Sequence, residues 1–205
     1  MKENHYNLQE VAAINSVIDT ILHRRSVRSF LPQNIPPEYL EAIIKSGIYA
    51  PSGHNRQLVR LFIMQNPERI DALNRALVDV FSAMSPDPES HLNSMILRAR
   101  QPGHNFFYHA PVVISAIAPS AHLNSMADSA TALQNMQISA ASLKLGACWI
   151  NQPHWLTDKT PVRKIFEELG MTGDDDIFGS LSVGYPSAPL AEPLPRKAGR
   201  VIYDL

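Results

Sequence analysis

Residues 110–119, APVVISAIAP, form the longest apolar stretch of the chain. Ten residues are far too few to cross a bilayer as a helix, and the β-branched run at their centre reads as a strand of a buried sheet. PVVISAIA is thus a strong strand signal. Leu8, Val11, Ile14, Val17, Ile18, Ile21 and Leu22 recur at helical spacing, which predicts a first helix ending near His23. EYLEAIIKSGIYA predicts a second, leading into the loop APSGHNRQ. VRLFIMQ reads as a strand. NPERIDALNRALVDVF reads as a helix, with Asn66 as its cap and Pro67 in its first turn. A short helix follows at HLNSMILRARQ. Beyond the central strand a long helix runs from about Asn124 to Leu145, with Gly146 as its stop. Then come a short strand ACWI, a helix TPVRKIFEELG and a strand DIFGSLSVGYP. Helices and strands do not alternate as strict βαβ units, so the expected fold is α+β, a small sheet flanked by helices. No linker is long enough to divide the 205 residues, and one domain over 1–205 is expected.

Composition narrows the function. Net charge is −1, with 18 Lys+Arg against 19 Asp+Glu, which argues against a nucleic-acid or anionic-membrane partner. A single cysteine, Cys148, forbids an intrachain disulfide and fits a reducing compartment. The start, MKENHYNLQE, lacks an apolar signal segment, so the expectation is a soluble cytoplasmic protein. No two of the nine glycines have G-x-G spacing, which removes the dinucleotide-binding fingerprint, and there is no phosphate loop, HExxH, CxxC or GxSxG. The eight histidines are scattered, and no metal site is expected.

Against this sparse background RRSVRSF, residues 24–30, stands out. If the segment is extended, Arg24, Ser26 and Arg28 point one way, and Arg25 and Val27 the other. Two guanidinium forks with a hydroxyl between them suit a phosphate. The plainer alternative is that His23, Arg24 and Arg25 close the C-terminus of the first helix and favour its dipole. A second basic cluster, Arg196-Lys197 with Arg200, lies near the C-terminus.

RRSVRSF after an amphipathic helix, then APSGHNRQ, NFFYHAPVVI, ADSATALQNMQISAASLKLGACWI and VGYPSAPLAEPLPRK, in this order, resembles the FMN-dependent nitroreductase superfamily. The resemblance covers most of the chain from about Ile14. It implies an α+β homodimer with a central, mostly antiparallel sheet. Its C-terminal arm, here 187–205, would embrace the partner, with VIY adding a strand to it. FMN would bind at the dimer interface and NAD(P)H would be the electron donor. The residues matching the family's FMN phosphate, ribityl and ring contacts are Arg24, Arg25, Ser26 and Arg28. Pro51, Ser52, Gly53 and Asn55 match residues that approach the flavin from the other subunit. Trp149, Ile150 and Asn151 match the stretch beside the isoalloxazine. Arg196, and beside it Lys197, match the basic residue closing on the phosphate. Arg28 would sit at the ring end and tune the flavin's potential.

Two departures stand in this chain. Gln57 is followed by Leu58-Val59 where the family has Pro-Trp, and Asn151-Gln152 replaces an acidic residue and glycine. The implied activity is ping-pong hydride transfer to a small electron-poor acceptor, such as a nitroaromatic or quinone. A reductive dehalogenase of the same superfamily, or a flavin-binding sensor or storage protein, are the alternatives. The segment 83–101 matches the place where members carry a substrate lid.

Overall fold

A computed structural model describes residues 15–204. Its elements follow in chain order: α1 (Ser16–His23), α2 (Pro37–Ile48), a 3-10 turn (Gly53–Asn55), β1 (Arg60–Met64), α3 (Pro67–Ala83), α4 (Asn93–Ala99), β2 (Val112–Pro119), α5 (Ser125–Ser142), β3 (Gly146–Ile150), α6 (Gln152–Trp155), α7 (Thr160–Glu167) and β4 (Asp175–Gly184). The expected helix over Leu8–His23 is described from Ser16 on; Leu8, Val11 and Ile14 lie outside the described residues.

The four strands form one antiparallel sheet in the order β1-β2-β4-β3. The apolar run at 112–118 is central and buried throughout. Alternation along each strand sends side chains to two cores on opposite faces. Val113, Ile117, Cys148, Ile150 and Ile177 pack with Leu73, Leu77 and Phe81 of α3 and Phe166 of α7. Val112, Ile114, Ala147 and Leu181 pack with Ile43 of α2 and Leu133, Met136 and Ala140 of α5. The α+β architecture expected from the sequence is the one observed.

Local chemistry fixes the ends. The Asn66 side chain accepts from the N–H groups of Glu68 and Arg69, with Pro67 behind it, as the sequence predicts. Gly146 is a correction. The helix α5 ends at Ser142, and Lys144 takes the left-handed turn (φ 61°) that was expected of Gly146. Gly146 instead opens β3 and is needed for space, because Val27 lies against it. Gly179 serves a β-bulge: β2 and β4 slip register between Ala116 and Ile117. At φ 149° Gly179 adopts a conformation that side chains resist, and a Cβ there would meet the Trp149 ring at 2.7 Å.

β3 is an edge strand. Its free side is covered by the segment that follows α1: Ser26 bridges Ala147 in parallel fashion, and the Val27 N–H donates to Ala147 O at 3.0 Å. The arginine-rich stretch is thereby laid along the rim of the sheet.

Candidate functional site

Val27 and Phe30 are buried and pack with Ala110, while Ser26 and Arg28 are exposed. This is the alternation expected of an extended segment. Arg24 and Arg25 are half-buried and diverge. Arg24 Nη1 donates to Gln137 Oε1 on α5 at 3.3 Å. Arg25 turns to carbonyls: Nη2 donates to Leu22 O (3.1 Å), Nε to Ala191 O (3.0 Å) and Nη1 to Arg24 O. His23 Nδ1 lies 3.0 Å from Asp19 O. The side chains divide: His23 and Arg25 bond carbonyls at the end of α1, as the plainer reading expects, Ser26 and Arg28 are exposed, and Arg24 is half-buried against Gln137.

Among the described residues no carboxylate pairs with Arg24, Arg25 or Arg28; the recorded ion pairs lie elsewhere. Burial, then the charges of Arg25 and Arg196, push the Arg24 pKa below its ordinary value. The charge of Arg196, from the second basic cluster, is thus felt at Arg24. Among the described residues this positive region has no carboxylate against it, an arrangement that suits an anionic ligand. An open cleft of about 1030 Å³ has Arg24, Arg25, Ala147, Ile138, Tyr185 and Leu190 in its wall. A second, of about 480 Å³, is lined by Arg25, Ser26, Arg28, Ser187 and Ala191. Both are on the scale of small-molecule sites, about 300–1,000 Å³.

The end of β3 and Asn151 expose little side chain. Ile150 is buried in one core and Trp149 packs against the other. Trp149 Nε1 donates to Asn151 Oδ1 at 2.5 Å. The edge of the β3 backbone and Asn151 are what this stretch can offer a ligand. Gln152, at the departure from the family pattern, sends Nε2 to Met95 Sδ on α4 at 2.9 Å. Cys148 lies beneath the same strand, 2% exposed. Burial pushes its thiol pKa up although Arg28 and Arg24 pull it down, so it is an inert core residue.

The loop Pro51–Asn55 is held elsewhere on α5. Gly53 N–H is shared by both carboxylate oxygens of Asp128, at 3.1 and 3.2 Å. Thr131 Oγ1 donates to Pro51 O at 3.3 Å, and Ser52 Oγ accepts from Gln57 N–H at 3.0 Å. His54, Asn55 and Gln57 all have positive φ, between 52° and 54°, an unusual run for non-glycine residues. Asp128 and Gln137 are nine positions apart on α5, roughly 13 Å along the axis. Within one chain this loop is therefore anchored well away from the Arg24 anchor. Asp128 and Gln137 were missed from sequence; their signal was a carboxylate and an amide falling on the buried stripe of α5, at Asp128, Leu133 and Gln137.

Residues 201–203, the VIY expected to add a strand to a partner, are exposed coil in the single chain, with Ile202 94% exposed. Among the described residues no group of three or more His, Cys, Asp or Glu is placed to hold a metal. None of the described helices is long and apolar enough to cross a membrane.

An antiparallel sheet between two helical layers, with a basic segment along its edge strand, defines an α+β protein with an open basic rim. The model of the Nitroreductase family matches residues 21–185, and the chain belongs to that family. It is 28% identical over 200 residues to an FMN reductase (NADPH) of Bacillus subtilis, covering 93% of this chain and 73% of the relative. A nitroreductase with bound FMN from Bacteroides fragilis is 30% identical and superposes with a TM-score of 0.84, over 93% of this chain and 100% of the other. An iodotyrosine deiodinase bound to FMN and 3-iodo-L-tyrosine shares the fold at 21% identity, with a TM-score of 0.71 over 92% and 99% of the two chains.

Proposed function

We propose that the chain is an FMN-dependent oxidoreductase that passes hydride from NAD(P)H to a small electron-poor acceptor such as a nitroaromatic or quinone. The observation that carries this reading is the gathering of Arg24, Ser26, Arg28 and Arg196 with no described carboxylate to neutralise them. The donor set fits FMN. Arg24 and Arg196 offer forked, permanently charged donors to a phosphate. Ser26 adds an exposed hydroxyl, and Arg28 stands four residues along the extended segment, about 13 Å from Arg24.

FMN, when bound, supplies the two-electron relay between donor and acceptor. The chain's part is binding, orientation and electrostatics. Arg24, held by the Gln137 amide, and Arg196 fix the phosphate end. Arg28 puts a cation at the opposite end, where it favours the negative charge that reduction brings. The β3 edge and Asn151 supply polar groups without a side chain of strong acidity or basicity. That agrees with the lack of a catalytic dyad or triad.

The working unit is a homodimer in this reading. Pro51, Ser52, Gly53 and Asn55, anchored through Asp128 and Thr131 of α5, would approach the flavin held by a second copy, as the family resemblance implies. The tail 187–205, exposed in the single chain, is the arm that would embrace that copy.

The test is the visible spectrum of the purified protein before and after anaerobic NADH or NADPH. Flavin bands that bleach rapidly, and return when a nitroaromatic or quinone is added, are expected. Bands that persist would overturn the reductase and leave a flavin-binding sensor or storage protein. Recovery with 3-iodotyrosine but not with the other acceptors would favour the dehalogenase alternative.

A further inference from the structure

The tail leaves β4 beside the basic segment and is tied to it step by step. Leu31 N–H donates to Tyr185 O, Phe30 bridges Pro186, and Ser187 N–H donates to Ser29 O at 3.1 Å. The hydroxyls of Ser187 and Ser29 are 2.6 Å apart. Past Ser187, among the described residues, one hydrogen bond holds the tail: Arg25 Nε to Ala191 O. The same guanidinium holds Leu22 O at the end of α1 and Arg24 O in the basic segment. All three nitrogens of Arg25 are thus committed to carbonyls. Arg24, by contrast, gives the described residues a single bond, to a neutral amide.

We propose that Arg25 is a positioning residue: it ties the tail at Ala191 to the end of α1 so that Arg196 is delivered beside Arg24, and it does not touch the anion. The tether explains why one bond matters. From Ala191 to Arg196 the chain spans at most about 18 Å, so fixing the first strongly confines the second. Released back to Ser187, the free segment nearly doubles, and the chance of Arg196 being in place falls about 2- to 3-fold from loop entropy alone. Loss of direction adds to this, and an overall loss of about 3- to 10-fold in FMN affinity is expected.

This inference rests on the FMN reading above, and the experiment separates the two. The full-length apoprotein is titrated with FMN, following flavin fluorescence, for the wild type, R24A, R25A, R25K, R196A and R25A/R196A. R196A should weaken FMN about 10-fold or more, as expected for a charge-assisted bond. R25A/R196A should then bind within about 2-fold of R196A alone, because aiming the tail has no value once Arg196 is gone. R25K keeps the charge but not the three-way fork, and should resemble R25A. Multiplying effects in the double variant, or wild-type affinity in R25K, would overturn the assignment and make Arg25 a charge on the phosphate. Trypsin gives a second readout: cleavage after Arg196 or Lys197 in the apoprotein should quicken in R25A and not in R28A, and equal rates would overturn the tether. If R24A retains stoichiometric FMN, the phosphate clamp itself fails. If R24A loses FMN while R25A and R196A multiply, only the role of Arg25 fails.

Discussion

Replacing Gly146 by alanine would move the basic segment without changing any residue proposed to touch FMN. An alanine Cβ at this position would lie 2.5 Å from Val27 Cγ2, 2.7 Å from its Cβ and 2.9 Å from its Cγ1. Carbon atoms pack at about 3.5–4.0 Å, so three atoms of one side chain overlap by roughly 1 Å. Val27 cannot swing clear. It is 6% exposed, its N–H is bonded to Ala147 O, and a β-branched side chain has little rotamer freedom. Relief must come from the backbone, with residues 26–28 backing away from β3. Overpacking of this kind costs about 1–3 kcal/mol. For a chain of this size that is roughly 2–12 °C in Tm. A phosphate contact lengthened by about 1 Å forfeits much of a charge-assisted hydrogen bond, about 1.5–3 kcal/mol or some 10- to 150-fold in affinity. Calorimetry of the apoprotein and fluorescence titration with FMN measure the two effects. G146A/V27A should recover part of both, since one overlap then remains instead of three. An apoprotein that melts within about 1 °C of wild type and binds FMN within about 2-fold would refute the argument that β3 sets the position of the segment.

Two further outcomes are expected. Burial alone would raise the pKa of Asp175, but the Thr172 hydroxyl and N–H, with Arg60, outweigh it and hold the carboxyl below its ordinary value. Its contribution is therefore complete above about pH 3.9, the unfolded value, and is lost as pH falls through the lower folded value. D175N should cost about 1–3 kcal/mol at neutral pH and flatten the acid limb of a urea-stability profile; an unchanged acid slope would refute this. R28A should lower the flavin midpoint potential by about 20–45 mV, the two-electron equivalent of losing about 1–2 kcal/mol of charge stabilisation, with a smaller effect on FMN affinity than R24A. An unchanged potential in a spectroelectrochemical titration would remove its proposed tuning role.

The parts of the molecule legible in sequence are those whose cause is local. Asn66-Pro67 starts a helix wherever it stands before an amphipathic run, and it does so here. The period-2 reading of residues 24–28 put Ser26 and Arg28 on one face and Val27 on the other, and the fold exposes the first two and buries the third, with Arg24 and Arg25 both half-buried. What escaped is long-range. Whether Arg25 spends its donors on a ligand or on Ala191 O depends on a carbonyl 166 positions away. Gln137 finds Arg24 across 113 positions, and Asp128 finds Gly53 across 75. Gly146 was misread for a related reason. A glycine after a helix suggests a C-cap, but Lys144 took the left-handed turn and Val27 claimed the space beside Gly146. Trp149 and Ile150 match a family stretch, yet their side chains are spent on the two cores, which only the sheet order reveals.

The distance between Arg25 and Ala191 along the chain has a consequence for biosynthesis. In the proposed reading the anion site is assembled from segments 166 positions apart, so a growing chain makes its basic segment long before the residues that complete it. The β3 strand against which this segment lies also comes late. Acquisition of cofactor would then wait for Ala191 and Arg196 to emerge, and a product terminated before them would carry its basic segment without them. Closing so long a loop is slow compared with local helix formation, and the coloured holoprotein would be a stringent reporter of chains that have finished folding.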